Sequence, residues 1–203
     1  MITIIDYGLG NIRAFVNVYE RLNIKVQIAH SVPAMKGATK IIVPGVGSFD
    51  YAMTLLNESG MRDELDQQVM VNKIPVLGVC VGMQMLAKSS EEGRLQGLGW
   101  IDAEVKRFDD AKFTQKTHLP HMGWNDVDPQ STGCLFGTMI KPRFYFLHSY
   151  YFVPLHQEDV LAATEYNGSF ASAVRSGNVF GTQFHPEKSH HWGIQLLKNF
   201  ANI

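Results

Sequence analysis

The sequence predicts an α/β fold, a mostly parallel central sheet flanked by helices with a β-rich second half. Three observations carry that expectation. Short apolar runs alternate with amphipathic stretches through the first half, one such stretch repeats its apolar residues at helical spacing, and the second half turns to β-rich segments divided by Gly, Asn and Pro.

In order along the chain, residues 2–5, 25–28, 41–43 and 76–79 read as strands, with helical patterns over 11–22 and roughly 50–72 between them. Phe15, Val18, Tyr19 and Leu22 define one buried helix face, so this segment crosses between strands. Beyond it, 100–108, 143–152, 160–166, 169–175 and 179–183 read as β-rich stretches that form hairpins or extend the sheet. Asn167-Gly168 and Ser176-Gly177-Asn178 supply residues tolerant of positive φ, as tight turns need. A final amphipathic segment, 192–200, closes the chain as a helix.

No composition shift or low-complexity stretch divides the 203 residues, so residues 1–203 read as one domain. Hydrophobic residues at 45% and charged residues at 18% suit a soluble globular chain. A net charge of -1 offers no field for steering toward phosphate backbones, which argues against a nucleic-acid partner and for a protein or a small molecule. Cys80 and Cys134 lie in dissimilar segments, as expected of reduced thiols in a cytoplasmic protein, and Cys134 is assigned to the core. Neither a signal-peptide pattern nor an apolar run of roughly 18 residues is visible, so no membrane span is expected.

The run from Pro75 to Gln84 is an apolar strand that ends at Cys80 and turns at once into a helical pattern. Its Gly78-Val79-Cys80-Val81-Gly82 has the form of a nucleophile elbow, in which small neighbours let the backbone approach closely. A helix starting after Cys80 would bring unpaired N–H groups and a positive dipole end to the sulfur, favouring the thiolate. The competing reading is a small buried hydrophobe, the role of most free cysteines.

A cysteine nucleophile needs a base, and among eight histidines His185 stands out. It follows a strand and precedes a proline within Gln183-Phe-His-Pro-Glu-Lys188, so its backbone should be extended and Glu187 should project to the same side, holding the imidazole in one tautomer. A metal site at His185, Glu187, His190 and His191 matches no common zinc spacing. His190 and His191 are expected to cap the last helix or face solvent, and His30, His118 and His156 to be structural or exposed. The loop Pro44-Gly45-Val46-Gly47 follows a strand and frees backbone N–H groups that can stabilise an oxyanion, although taken alone it reads better as a plain strand-to-helix turn. Asp6-Tyr7-Gly8-Leu9-Gly10-Asn11 has a dinucleotide-loop look, but Arg13 stands where the third glycine belongs, and cofactor binding there is rejected.

Taken in order, Pro44-Gly-Val-Gly47, Gly78-Val-Cys-Val-Gly-Met-Gln84 and Gln183-Phe-His-Pro-Glu-Lys-Ser189 resemble the class I (triad) glutamine amidotransferases. Asp6 to Asn11, Leu119-Pro-His-Met-Gly-Trp-Asn125 and Tyr145-Phe-Leu-His-Ser-Tyr150 are similar to the glutaminase subunits of imidazole glycerol phosphate synthases, along essentially the whole chain. The resemblance implies a three-layer amidotransferase domain in which glutamine forms a thioester with Cys80, His185 is the acid/base and Glu187 orients it. It further implies an oxyanion strand at Gly45, Val46 and Gly47, and glutamine held near Gln84, Glu92, His148, Ser149 and Tyr150, the carboxylate of Glu92 suiting an α-ammonium. Asn11, Trp124, Tyr145 and Lys188 would face a (β/α)8-barrel cyclase subunit that uses the ammonia. No cofactor and no metal are implied.

Two departures stand out, Val81 where leucine is common and His190-His191-Trp192 in place of a polar helix start. Residues 48–53 also look like relatives that feed ammonia to enzymes forming amidino sugars, so the acceptor stays open at this point. A non-catalytic scaffold and a cysteine protease are the other readings. The intact Cys80, His185 and Glu187 oppose the first, and the unexplained Pro-Gly-Val-Gly and Tyr-Phe-Leu-His-Ser-Tyr elements oppose the second.

Overall fold

The structure, a computed structural model, describes residues 1–109, 111, 119–130 and 133–203; His118 lies outside them. The first half runs β1 (Ile2–Ile5), α1 (Ile12–Arg21), β2 (Val26–Ala29), β3 (Lys40–Gly45), α2 (Phe49–Glu58), α3 (Arg62–Asp66), β4 (Val76–Cys80) and α4 (Val81–Gln84). The second half adds β5 (Ser89–Ser90), β6 (Ala103–Arg107), β7 (His121–Asp126), β8 (Asp128–Pro129), β9 (Arg143–His148), β10 (Tyr150–Pro154), β11 (Val160–Glu165), β12 (Ser169–Ser176), β13 (Val179–Thr182) and α5 (His190–Ala201).

One sheet crosses both halves in the order β2-β1-β3-β4-β13-β12-β10-β6-β5, with β11 branching from β12 and β8 pairing β11. Strands β2, β1, β3, β4 and β13 are mutually parallel, and antiparallel pairing begins at β12. Burial follows from this placement: every residue of β1, β4 and β13 is buried, as parallel strands covered on both faces require. On α1, Phe15 and Tyr19 are buried as the spacing predicts, Val16 joins them, and Val18 and Leu22 pack on the rim. The Tyr19 hydroxyl donates to the Leu197 carbonyl, tying α1 to α5.

Both expected turns form, with Asn167 and Gly168 at positive φ between β11 and β12 and Gly177 at positive φ between β12 and β13. Three expectations need correction. The stretch 50–72 is not one helix: Gly60 takes φ +69°, and Ser59 Oγ, donating to the Leu56 carbonyl and accepting the Met61 N–H, ends α2 before α3 begins. Residues 143–152 are two strands, since β9 pairs with β7 in a separate two-stranded sheet while β10 pairs with β6 and β12. The chain changes sheet at Ser149 without a Gly or Pro to mark it. Cys134 is half-buried at the core margin, where its sulfur accepts from Arg175 Nη1, so it is not a core residue.

The β3, β4 and β13 ends lie side by side, with Gly45 opposite Cys80 and Thr182 opposite Val79. Close packing makes this possible: a Cβ added to Gly82 would overlap the Val43 carbonyl oxygen, and one added to Gly45 would overlap the Gly82 nitrogen. Both obstacles are backbone, which cannot swing aside. Gly82→Ala should therefore cost about 3 kcal/mol or prevent folding. Urea unfolding measures it, and a variant within about 1 kcal/mol of the parent would show that α4 can move off β3.

Candidate active site

Cys80 ends β4 with φ +56° and ψ −115°, and α4 starts at the next residue. A side chain in this sparsely populated region is strained, and such strain clusters where a group must be aimed. The elbow read from the sequence is thus present. The expected dipole contribution shrinks, however, because α4 is only four residues long and supplies little beyond its own first N–H groups. The sulfur lies 3.9 Å from the Leu147 carbonyl oxygen and 3.9 Å from Gln183 Nε2.

His185 is extended, as a residue before proline should be, but Pro186–Lys188 then form a short 3-10 turn. That turn, rather than strand alternation, brings Glu187 back to His185, Nδ1 to Oε1 at 2.9 Å, with both side chains almost fully buried. Nε2 is left to face Cys80. The second carboxylate oxygen, Oε2, is buried without a hydrogen-bond partner among the described residues. Burial alone would depress the His185 pKa, but hydrogen bonds to Cys80 and Glu187 and the charges of both raise it to about 10. The imidazolium is therefore the favoured form at neutral pH.

A ring of three hydrogen bonds through Tyr145 and Ser189 holds the backbone of this histidine. The His185 N–H donates to the Tyr145 carbonyl at 2.9 Å, the Tyr145 N–H donates to Ser189 Oγ at 3.0 Å, and Ser189 Oγ donates to the His185 carbonyl at 2.6 Å. Ser189, not His190 or His191, also occupies the cap position of α5.

A cavity of about 310 Å³ opens over Cys80 and His185. All five residues expected to hold substrate, Gln84, Glu92, His148, Ser149 and Tyr150, line it, together with Val46 and Gly47 of the loop after β3. Gly45 sits behind them, in register with Cys80. Glu92 Oε2 accepts the Phe49 N–H at 2.8 Å, and burial raises its pKa against that bond, with Asp50 adding to the rise. The Tyr7 hydroxyl donates to the Pro44 carbonyl at 2.7 Å. Because a peptide is planar, fixing the Pro44 oxygen also fixes the direction of the Gly45 N–H.

His148 continues into a second histidine. Its Nε2 is 2.9 Å from His121 Nδ1, and its Nδ1 is 2.8 Å from the Tyr150 carbonyl oxygen. His121 stacks between Phe146 and Tyr166, and its Nε2 is 3.1 Å from Asn125 Nδ2. Burial lowers the His121 pKa to about 4; burial and the neighbouring histidines lower that of His148 to about 3, despite its bond to Tyr150. Tyr7, His121, Gln183 and Ser189 were not singled out from the sequence. His121 and Gln183 each stood inside a motif already recognised, and nothing local distinguished them from their neighbours there.

Of the four surface residues assigned by resemblance, Trp124, Tyr145 and Lys188 gather. Trp124 and Tyr145 meet edge to face, Lys188 Nζ lies 6.0 Å from the Tyr145 ring centre, and His190, exposed like His191 as the second of the two expectations had it, stacks on Trp124 and does not cap α5. Asn11 precedes α1 and makes no side-chain cap. Among the described residues, no group of three or more His, Cys, Asp or Glu could hold a metal ion.

The neutral histidine pair carries a pH dependence. Both folded pKa values lie below the ordinary 6.5, so as pH falls the unfolded chain takes up protons first; the stability is present above 6.5 and is lost through about 4 toward 3. Urea midpoints of the parent should fall more steeply than those of His148→Gln across that window. Parallel slopes would assign the acid sensitivity elsewhere.

The family model for class I glutamine amidotransferases matches residues 3–203. The chain is 54% identical to the imidazole glycerol phosphate synthase subunit HisH of Bdellovibrio bacteriovorus and 53% identical to that of Leptospira interrogans, in each case over 100% of both chains. It is 48% identical to subunit HisH 2 of Pseudomonas aeruginosa, again over 100% of both. A crystal structure of a glutamine amidotransferase has the same fold at a TM-score of 0.77 and 22% identity, covering 100% of this chain and 99% of the other. A chain of PurLQS from Thermotoga maritima aligns at 0.74 and 19% identity, covering 99% and 97%. On motif order, site geometry and full-length similarity together, the chain belongs to the HisH subunits of imidazole glycerol phosphate synthase, within the class I glutamine amidotransferases.

Proposed function

We propose that residues 1–203 act as one glutaminase domain in a cytoplasmic heterodimer, releasing ammonia from L-glutamine for a (β/α)8-barrel cyclase subunit that makes imidazole glycerol phosphate and an aminoimidazole carboxamide ribotide. The observation that carries this reading is the buried His185–Glu187 pair facing Cys80, whose strained backbone aims it into a cavity large enough for one amino acid.

The chemistry follows from the protonation states. The Cys80 thiolate attacks the side-chain amide carbon, and N–H groups of the Gly45-Val46-Gly47 loop take the developing oxyanion. His185, already cationic, gives its proton to the departing nitrogen, which leaves as ammonia while a thioester remains. The now neutral imidazole takes a proton from water, whose oxygen attacks the thioester. Glutamate leaves and Cys80 is restored. Glu187 contributes by stabilising the imidazolium and keeping the Nδ1 proton in place when the ring is neutral, and Glu92, Gln84, His148, Ser149 and Tyr150 hold the substrate.

Partner docking has support in the outer face of the β7–β9 sheet, where Met122, Trp124 and Leu147 are apolar yet 66%, 42% and 40% exposed. Exposed apolar clusters of this kind mark interaction surfaces. The Tyr145 and Lys188 side chains border it.

Cys80→Ala should abolish glutamine-dependent product formation while the assembled complex still makes product from added ammonium salts, because the sulfur serves hydrolysis and not the acceptor chemistry. Loss of the ammonium-driven reaction in a folded complex would contradict that division. With Gly45 fixed, the Val46-Gly47 part of the loop, where Gly47 has open space around it, can present or withdraw an N–H donor at little steric cost, a change of about 3 kcal/mol or roughly a hundredfold in rate. Glutamate release by the isolated chain should thus be at least about tenfold slower than by the complex loaded with acceptor. Equal rates would mean a constitutive glutaminase.

A further inference from the structure

Two glutamines lie between Cys80 and the strand junction at Ser149, and the direction of their hydrogen bonds can be deduced from one atom. The Tyr150 carbonyl oxygen can only accept, so the Gln84 atom 3.1 Å from it is the amide nitrogen, Nε2. That same nitrogen lies 3.0 Å from the Gln183 amide and can only donate, so the Gln183 atom facing it is Oε1. A carboxamide is planar and two-sided. With Oε1 turned to Gln84, Gln183 Nε2 is turned to the sulfur of Cys80, 3.9 Å away.

Nothing lets this arrangement reverse cheaply. Gln183 is fully buried, its backbone N–H is held by the Ser172 carbonyl, and a flipped amide would set nitrogen against nitrogen at Gln84. The Tyr150 oxygen is itself pinned by His148 Nδ1. His148 stays neutral, so its Nε2 accepts from His121 Nδ1, and His121 Nε2 in turn accepts from Asn125. Every donor in the chain has a defined sense.

We propose that Gln183 is a further catalytic residue, its amide N–H donating to the Cys80 sulfur in the thiolate state, with Gln84 and the Tyr150 carbonyl setting its orientation. This deepens the glutaminase reading and rests on Cys80 being the nucleophile. The Leu147 carbonyl, also 3.9 Å from the sulfur, can accept only from the thiol, so the sulfur sits between a group suited to each protonation state. During attack the sulfur's negative charge passes to the oxyanion; when water attacks the thioester, the C–S bond breaks and the electron pair returns to sulfur. The Gln183 donor thus assists the second half of the cycle directly, as well as populating the thiolate for the first. The other charged or titratable groups facing the sulfur are His185 with Glu187 behind it, Tyr7, and Glu92 and His148 in the cavity wall. All of them remain in the variants below.

The test is the alkylation of Cys80 by iodoacetamide in the full chain, with Cys134→Ser removing the second thiol. The readout is the rate at about pH 6 divided by the rate on the plateau near pH 9.5, a ratio that changes in access or general loosening do not move. Gln183→Met, similar in length and without a donor, should lower this ratio roughly tenfold, the effect of losing one hydrogen bond to a charged group. Gln183→Asn, whose shorter amide cannot reach the sulfur, should lower it as well and serves if the methionine variant does not fold. A ratio within about twofold of the parent in either folded variant overturns the proposal. Glutamine hydrolysis by Cys80→Ala separates the two ideas: residual hydrolysis there refutes the nucleophile, whereas a dead Cys80→Ala with an unchanged ratio refutes the donor alone.

Discussion

The arrangement depends on one steric constraint, the contact between the turn after β4 and the end of β3. Gly82 packs on the Val43 carbonyl and Gly45 packs on the Gly82 nitrogen, with no room for a Cβ at either. This closeness fixes the parallel register that sets Gly45 opposite Cys80. On the other side of β4, the pairing with β13 brings the segment carrying His185 to the same end of the sheet. In open α/β sheets the carboxyl ends of strands are where ligands bind, and here three adjacent strands deliver the Val46-Gly47 loop, Cys80 and His185 to one cavity. Side chains separated by a hundred residues meet because backbones touch.

The same frame connects the cavity to the outer face. Tyr145 holds His185 through backbone bonds on both sides, one of them relayed by Ser189, while its ring stands on the surface beside Trp124 and Lys188. Leu147, two residues on, exposes its side chain outward and turns its carbonyl toward the Cys80 sulfur. A partner seated on this face would press on a two-stranded sheet whose inner backbone touches both His185 and Cys80. Coupling of this kind needs no long pathway, since a shift of β9 is already a shift of the site.

Much of this was legible in the sequence, and the limits have physical causes. The elbow at Cys80 could be read because a strand pattern ran into Gly-x-Cys-x-Gly, a combination that few backbones accommodate. His185 and Glu187 could be paired, although the wrong geometry was expected: proline does extend His185, but the next residues coil, and it is the coil that returns the carboxylate. The break at Ser149 was invisible because local sequence there favours strand on both sides, and only tertiary pairing decides that β9 and β10 join different sheets. His121, Gln183 and Tyr7 were missed for a related reason. Each acts through a contact with a residue far along the chain, to His148, Cys80 and Pro44 respectively, and no local spacing encodes such a meeting.

The electrostatics of the cavity follow from which groups burial is allowed to neutralise. His148 and His185 both line it, and burial pushes both toward the neutral state. Only His185 has a carboxylate beside it, and that carboxylate offers its other oxygen to nothing described, so its charge acts on the imidazole. His148 has instead a second neutral histidine and a carbonyl, partners that a neutral ring satisfies completely with one donor and one acceptor. Two cations side by side would compete for the same sulfur and repel each other across a small volume. Keeping one histidine neutral leaves a single cationic imidazole in the cavity, His185, held beside the Glu187 carboxylate and facing the Cys80 sulfur, and in the proposed reaction its proton would go to the departing nitrogen.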